Sequence, residues 1–292
     1  MSSPPPPQIA DRAALARSRA RAARRSAGAA PFLHAEARDE LELRLSEVNR
    51  RFTRPAIVTG LPDAWDRLLP GAALVADDEV LALEPGAHDL VIHAMALHWA
   101  ADPVGQLVQA RRALAPDGLF LAVLPGGRSL SELRAVLAEA ETALRGGLSP
   151  RVLPMGEIRD PGALLLRAGF ALPVADTVTL RAAYRSLRHL AAELRDMGEG
   201  NALAGRARSP APRALFDTAE ALYRRHFPAA DGRILASFEL IFLTGWSPAD
   251  SQPKPLRPGS ATHRLAEALG TRETPLDDPA GPPPRRDDPH RD

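Results

Sequence analysis

His93 is the residue best placed for acid–base work in this chain, because it closes the apolar run that starts at Asp89. Open α/β sheets meet their ligands at the carboxyl ends of the strands, and an imidazole with a pKa of about 6.5 can take or give a proton there. A strand-capping histidine that only bonds a loop is the bland reading of the same residue. Thr59 and Gly60 end an earlier apolar run, Ala56 to Thr59. A glycine at that point lets a ligand approach the backbone, or simply makes a turn. Asp77 and Asp78 lie in Ala76-Asp77-Asp78-Glu79 and offer carboxylates to an amine or a hydroxyl, or serve as solvated turn acids. Trp99 presents a face on which a flat ring can stack, although an aromatic at a strand–helix junction also packs well in a core. His88-Asp89 and His98 to Asp102 are explained by turns and caps, so no metal site is expected. The chain has no cysteine, which removes disulfides, thiolate metal sites and a cysteine nucleophile. Lys254 is the only lysine and stands in a proline-rich tail, which takes lysine chemistry out of the folded region.

These residues need strands and helices in alternation to hold them. Apolar positions recur at three and four from Leu33 to Phe52, which predicts an amphipathic helix over His34 to Arg51. Pro55 ends it, and Ala56 to Thr59 reads as a first buried strand. Between Gly60 and the strand Asp89 to His93 there is room for a short helix near Asp63 to Leu69 and the run Ala72 to Ala76. A strand–helix–strand crossover takes about 30 residues, so this interval holds one such unit and not two. Asp102 with Pro103 is an N-cap and first-turn pair for a helix to Ala113 or Leu114, which Pro116-Asp117-Gly118 turns into the strand Leu119 to Leu124. Ser129 and Glu132 have the spacing of a capping box for a helix ending at Gly146. Asp160-Pro161 opens another, closed by Gly169, before a strand at Val174 to Leu180. Further helices are expected at Ser186 to Met197 and Pro212 to His226, and a last strand, read as antiparallel, at Ile234 to Leu243. The alternation predicts an α/β layer sandwich with a mostly parallel sheet, helices on both faces and a compressed first half.

With 292 residues and 45% hydrophobic content, the chain can bury one sizeable core. Its net charge of +1 gives no field to attract nucleic acid. No apolar run approaches the roughly 20 residues of a membrane span. Ser2 to Pro7 is a proline run, and Asp11 to Arg25 reads as an Arg/Ala helix lying across the domain, with a mitochondrial transit peptide as the rival reading. From Ser247 the chain is rich in Pro, Arg and Asp, with one helical patch near Thr262 to Leu269, and is expected to be largely disordered.

Asp89-Leu-Val-Ile, Leu97-His98-Trp99 with Asp102, and Leu114-Ala-Pro116-Asp117-Gly118 before an apolar strand resemble the fourth and fifth strands of class I S-adenosylmethionine methyltransferases. A longer set of motifs sharpens the resemblance. It comprises Gly126-Gly127 with Ser129 to Arg134, Gly146 to Pro150, Leu166 to Phe170, Met197-Gly198-Glu199-Gly200-Asn201, and Asp231-Gly232 leading to Gly245-Trp246, with Asp11-Arg12 and Arg19 to Ala23 near the start. Together these resemble the mitochondrial complex I assembly factor 5 family and its alphaproteobacterial relatives, which resemble in turn the malonyl-carrier-protein methyltransferase of biotin synthesis. The resemblance implies a Rossmann-like class I methyltransferase fold over residues 31–246, with residues 1–30 and 247–292 as tails. It implies S-adenosylmethionine as cofactor, met by Thr59, Gly60, Asp77, Asp78, His93 and Trp99, and a protein partner such as a respiratory complex I subunit. It implies a cytoplasmic location, or the mitochondrial matrix in a eukaryote. The family's mitochondrial member is associated with arginine hydroxylation rather than methyl transfer.

The chain departs from the family pattern at its first loop. Thr59-Gly60-Leu61-Pro62-Asp63 has one glycine where the family has a glycine-rich loop, and no acid clearly ends a second strand. Three readings follow: a methyltransferase-like protein acting on or helping to assemble a partner, an inactive relative kept as a binding module, and an arginine hydroxylase. An open cavity beside Gly60 and Asp77 favours the first. Leu61, Trp65 or Leu74 filling that space favours the second.

Overall fold

The computed structural model describes residues 9–26, 31–153, 159–252 and 270–271. Two compact units are distinguished, Met1–Ser251 and Gln252–Asp292, and the architecture below is that of the first. The proline run at Ser2 to Pro7 and the helical patch at Thr262 to Leu269 lie outside the described residues.

Among the described residues six strands form one sheet. They are β1 (Pro55–Thr59), β2 (Ala73–Ala76), β3 (His88–Ala94), β4 (Leu114–Pro125), β5 (Ala171–Tyr184) and β6 (Ile234–Trp246), in the order β2-β1-β3-β4-β6-β5. The pairs β1/β2, β1/β3 and β3/β4 are parallel, and β6 runs against both β4 and β5. Among the described residues seven helices accompany them: α1 (Arg12–Ser26), α2 (Phe32–Glu47), α3 (Pro103–Ala113), α4 (Ser131–Arg145), α5 (Arg159–Arg167), α6 (Leu187–Asp196) and α7 (Arg213–His226). The compressed first half is real. Only the short 3-10 turn Pro62–Ala64 and β2 separate β1 from β3, so β2 takes the place directly beside β1.

The inner strands β1, β3, β4 and β6 are largely buried on both faces, as a covered sheet requires. Ile57, Leu90, Ile92, Leu121 and Phe242 face one side and pack with residues of α2, α4 and α7, among them Leu41, Val136 and Tyr223. Ala56, Val58, Val91, Phe120 and Leu243 face the other and meet Leu107 of α3 and Leu165 of α5. The Asp89 carboxylate ties the entry of β1 to β3, accepting from Thr53 N at 2.7 Å, Thr53 Oγ1 at 2.9 Å and Arg54 N at 2.9 Å. Burial pushes this carboxyl up, but the three donors outweigh it and leave it below the ordinary value.

Several local expectations are corrected. Asp102 caps α3 as its sequence predicts, accepting from Gly105 N at 2.8 Å. Ser129 and Glu132 do not form a capping box, because Leu130, in a left-handed conformation at φ 54°, is the residue that precedes α4. Their side chains turn instead to β6: Ser129 Oγ accepts from Glu239 N and donates to Glu239 O, and Glu132 accepts from Ser237. The turn at Pro116-Asp117-Gly118 lies inside a longer β4 as an irregularity, with Asp117 at φ 60° and a register shift against β3 between His88 and Leu90. β5 runs 14 residues, longer than Val174 to Leu180, because every position to Tyr184 has a partner on β6.

The Arg/Ala segment does lie across the domain. Asp11 caps α1 by accepting from Ala14 N at 2.9 Å, and its carboxyl is held well below the usual range by that amide and by Arg206 and Arg208. Leu15 and Ala22 are buried, and the helix packs on α6.

Candidate functional site

The register of the parallel strands brings three chain ends to one edge. Thr59 lies opposite Ala76 on β2 and Ala94 on β3, so Gly60, Asp77 and Met95 emerge side by side. Met95 is held at φ 50° with 2% of its surface exposed, a backbone cost of about 1–2 kcal/mol for a residue with a Cβ. Against this edge α1 closes a cavity of about 550 Å³. Thr59, Gly60, Leu61, Leu74, Asp77 and Asp78 line it from the sheet, and Arg12, Leu15, Arg19 and Ala23 from α1. Leu61 and Leu74 stand in the wall and leave the space open. Trp65 is turned into the core, where its Nε1 donates to His34 Nδ1 at 3.1 Å.

Because β2 neighbours β1, Asp77 stands at the end of the strand next to the first one. In doubly wound sheets that position carries the acid for a ribose hydroxyl. The acidic turn that Ala76 to Glu79 resembles in the methyltransferase family follows a third strand; here the shortened sheet puts it beside the first. Its side chain is 6% exposed and is met by two guanidinium groups, Arg19 Nη1 at 2.7 Å and Arg12 Nη1 at 3.3 Å. Asp78 is 75% exposed, 3.8 Å from Arg12. A methyl group at Gly60 would run into the Arg19 guanidinium, so the single glycine keeps room for that side chain. Sequence reading passed over Arg19 and Arg12 as site residues. The available signal was the pair of family-matching motifs at the start of the chain, Asp11-Arg12 and Arg19 to Ala23.

His93 and Trp99 are placed elsewhere. His93 is fully buried and does not line the cavity. Its Nε2 lies 2.8 Å from Gln106 Oε1, and Gln106 Nε2 donates to the Asp78 carbonyl at 2.9 Å, which fixes the amide and assigns the imidazole proton to Nε2. Nδ1 has no partner among the described residues. Burial lowers the His93 pKa to about 4, so the ring is neutral at pH 7. Trp99 donates from Nε1 to Glu199 at 2.8 Å, and His98 Nε2 lies 3.3 Å from the same carboxylate. Burial pushes Glu199 up, but His98, Arg19 and the indole N–H together leave it below the ordinary value.

This contact joins two of the sequence motifs across about a hundred residues. A third joins them through Asn201, whose Nδ2 donates to the Pro150 carbonyl at 2.9 Å. The loop at Gly146 to Pro150 is anchored in turn by Glu141, which accepts from Ser149 Oγ at 2.5 Å and Arg151 Nη2 at 2.7 Å. Arg151 and Ser149 hold the Glu141 pKa down to about 2. The loop motifs therefore converge beside the carboxyl edge. Among the described residues no group of three His, Asp or Glu side chains is placed to hold a metal ion.

A mostly parallel sheet with one reversed strand beside its far edge, helices on both faces and a cavity at the carboxyl edge defines a Rossmann-like protein of the class I methyltransferase type. The methyltransferase-domain family profile matches residues 57–122. Mouse arginine-hydroxylase NDUFAF5, mitochondrial, is 37% identical over 207 residues, 71% of this chain and 60% of that protein. The human protein of the same name is 33% identical over 220 residues, 75% of this chain and 64% of that one. Malonyl-[acyl-carrier protein] O-methyltransferase of Laribacter hongkongensis is 34% identical over 178 residues, 61% of this chain and 57% of that enzyme. Among solved structures the YcgJ protein of Bacillus subtilis aligns over 72% of this chain and 99% of its own, at 11% identity and a TM-score of 0.47. The chain is thus similar to the NDUFAF5 arginine-hydroxylases and to the malonyl-[acyl-carrier protein] O-methyltransferases, and it spans about three fifths of the length of those relatives.

Proposed function

We propose that this chain is a partner-directed protein of the methyltransferase fold that holds an S-adenosyl cofactor in the cavity beside Gly60 and Asp77. The observation that carries the reading is the cavity itself: about 550 Å³ at the carboxyl edge, with a buried carboxylate at the end of the strand neighbouring β1. Asp77 suits the ribose hydroxyls, Asp78 the adenine amine, and the Leu61, Leu74 and Val75 side chains the apolar faces of the nucleoside. The cofactor would supply a methyl group on a sulfonium. The protein's part is to align an acceptor and exclude water, and α1 covers one side of the cavity. His93 has no assigned proton transfer, since it is buried away from the cavity and neutral. The acceptor is proposed to be a protein or a protein-borne group, because relatives carry the names arginine-hydroxylase and malonyl-[acyl-carrier protein] O-methyltransferase, and a respiratory complex subunit in the first instance, from the motifs that resemble the complex I assembly factor family.

One observation favours a second reading. Arg19 lies over Gly60, where a glycine-rich loop would otherwise face the methionine part of the cofactor. If that side chain is a plug, the protein is a binding module for assembly. Isothermal titration with S-adenosylmethionine and S-adenosylhomocysteine decides, with thermal unfolding in parallel. Ligand at about a hundred times its Kd adds about 2.7 kcal/mol of stability. Micromolar binding with such a shift is expected; no heat and no shift at millimolar ligand would overturn the cofactor reading and leave the binding module.

A further inference from the structure

Arg19 is unusual among the arginines of α1. Its side chain is 11% exposed and lines the cavity, and its guanidinium lies against the backbone at Gly60. A guanidinium carries five N–H donors. Among the described residues the only hydrogen bond the Arg19 side chain makes is from Nη1 to Asp77 Oδ1 at 2.7 Å. Asp77 is meanwhile answered twice, because Arg12 supplies its Oδ2 and its carbonyl oxygen. Asp77 therefore keeps a guanidinium partner in Arg12 if Arg19 turns to another acceptor. The other acids of the lining do not bond Arg19: Asp196 pairs with Arg25 at 2.6 Å, Asp78 is mostly in solvent beside Arg12, and Asp63 is exposed. Glu199, His34 and His93 lie on the core side of the same guanidinium, close enough to feel its charge but without a hydrogen bond to it. A low-exposure cation with unspent donors, facing a cavity, is a seat for an anion.

We propose that Arg19 is a carboxylate anchor, gripping the amino-acid end of an adenosyl amino-acid ligand and replacing the backbone amides that a glycine-rich loop would supply. In the free protein Arg19 and Asp77 satisfy each other. When ligand binds, the carboxylate takes Arg19, the ribose hydroxyls take Asp77, and Arg12 remains to keep Asp77 paired. No buried charge is left alone at any stage, which removes the penalty that opening a buried ion pair otherwise carries. The inference rests on the cofactor reading above and specifies how the eroded loop is compensated.

The test compares two ligands that share the nucleoside and differ in the carboxylate. S-adenosylhomocysteine and 5′-methylthioadenosine are titrated into the full chain, into Arg19→Ala and into Arg19→Lys, with urea unfolding of each variant to show that it is folded. The expected result is that Arg19→Ala weakens S-adenosylhomocysteine about tenfold to a hundredfold, the range of a charge-assisted pair, while methylthioadenosine changes less than about threefold. Arg19→Lys restores part of the loss. Unchanged or tighter S-adenosylhomocysteine binding by Arg19→Ala overturns the anchor and makes Arg19 a plug, with the cofactor reading intact. Equal weakening of both ligands also overturns it, because the side chain then acts on the whole cavity. Failure of the unmodified chain to bind either ligand overturns the cofactor reading itself and the anchor with it.

Discussion

Asp77 shows how a residue's chemistry is set by what reaches it. In the sequence it is one of three consecutive acids, and nothing separates it from its exposed neighbours. In the fold it is buried at 6% side-chain exposure between Arg12 and Arg19. Asp77→Asn removes the charge and leaves two guanidiniums facing an amide. The expected cost is about 2–3 kcal/mol, below the upper range for a buried pair because Arg12 is 31% exposed. Asp78→Asn, at 75% exposure, is expected to change stability by less than about 0.5 kcal/mol. Urea unfolding of the two variants side by side measures the contrast, and equal effects would contradict the burial difference. His93 carries the opposite lesson. A position at a strand's carboxyl end suggested chemistry, yet the ring is committed to Gln106 inside the wall of the site.

At the scale of elements, the motif loops are held by contacts that cross the chain rather than by local capping. Ser129 has the spacing of an N-cap, but its hydroxyl bonds both backbone groups of Glu239. Ser129→Ala is therefore expected to reduce hydrogen-exchange protection at Glu239 and its β6 neighbours. The first turn of α4 should be unchanged. Loss of protection in α4 with β6 intact would reinstate the capping box. Asp102→Ala, by contrast, removes a cap that is formed, and should cost about 1 kcal/mol with fraying confined to the start of α3. α1 is latched by ion pairs at both ends, Asp11 with Arg206 and Arg208 and Arg25 with Asp196. Raising salt from 0.05 to 1 M shortens the Debye length from about 14 to 3 Å, so exchange in α1 should accelerate relative to β3 and β4, whose protection rests on apolar burial. Equal response of helix and strands would mean that Leu15 and Ala22, not the charges, hold α1 down.

For the whole molecule, two fully buried histidines tie stability to pH. Burial lowers both His34 and His93 from 6.5 to about 4. The unfolded chain then binds protons that the folded one refuses, so stability is full above pH 6.5 and declines as pH falls toward 4. Each histidine contributes a slope approaching 1.4 kcal/mol per pH unit. Together they predict a loss of about 3–4 kcal/mol between pH 7 and pH 5, read from urea unfolding, and His34→Gln should remove about half of that dependence. A flat profile over this interval would place both rings in contact with water.

The alternation of apolar runs with capped helices was enough to specify the fold class and the position of nearly every element, because strand and helix periods are local properties of the chain. The missing strand–helix pair was legible for the same reason: too few residues lie between Gly60 and Asp89 to make two crossovers. Thr59, Gly60, Asp77 and Asp78 were legible as a set because strand ends in a parallel sheet fall on one edge. What local sequence could not decide was which strand neighbours the first, and that placement turns Asp77 from an acid after an outer strand into the acid beside β1. Nor could it decide which arginine of α1 enters the cavity. Arg12, Arg17, Arg19 and Arg21 are equivalent in type and differ only in the direction each takes from the helix once Leu15 and Ala22 are buried. Charge pairing over 58 and 65 residues of separation depends on how α1 lies across the sheet, and only tertiary packing fixes that.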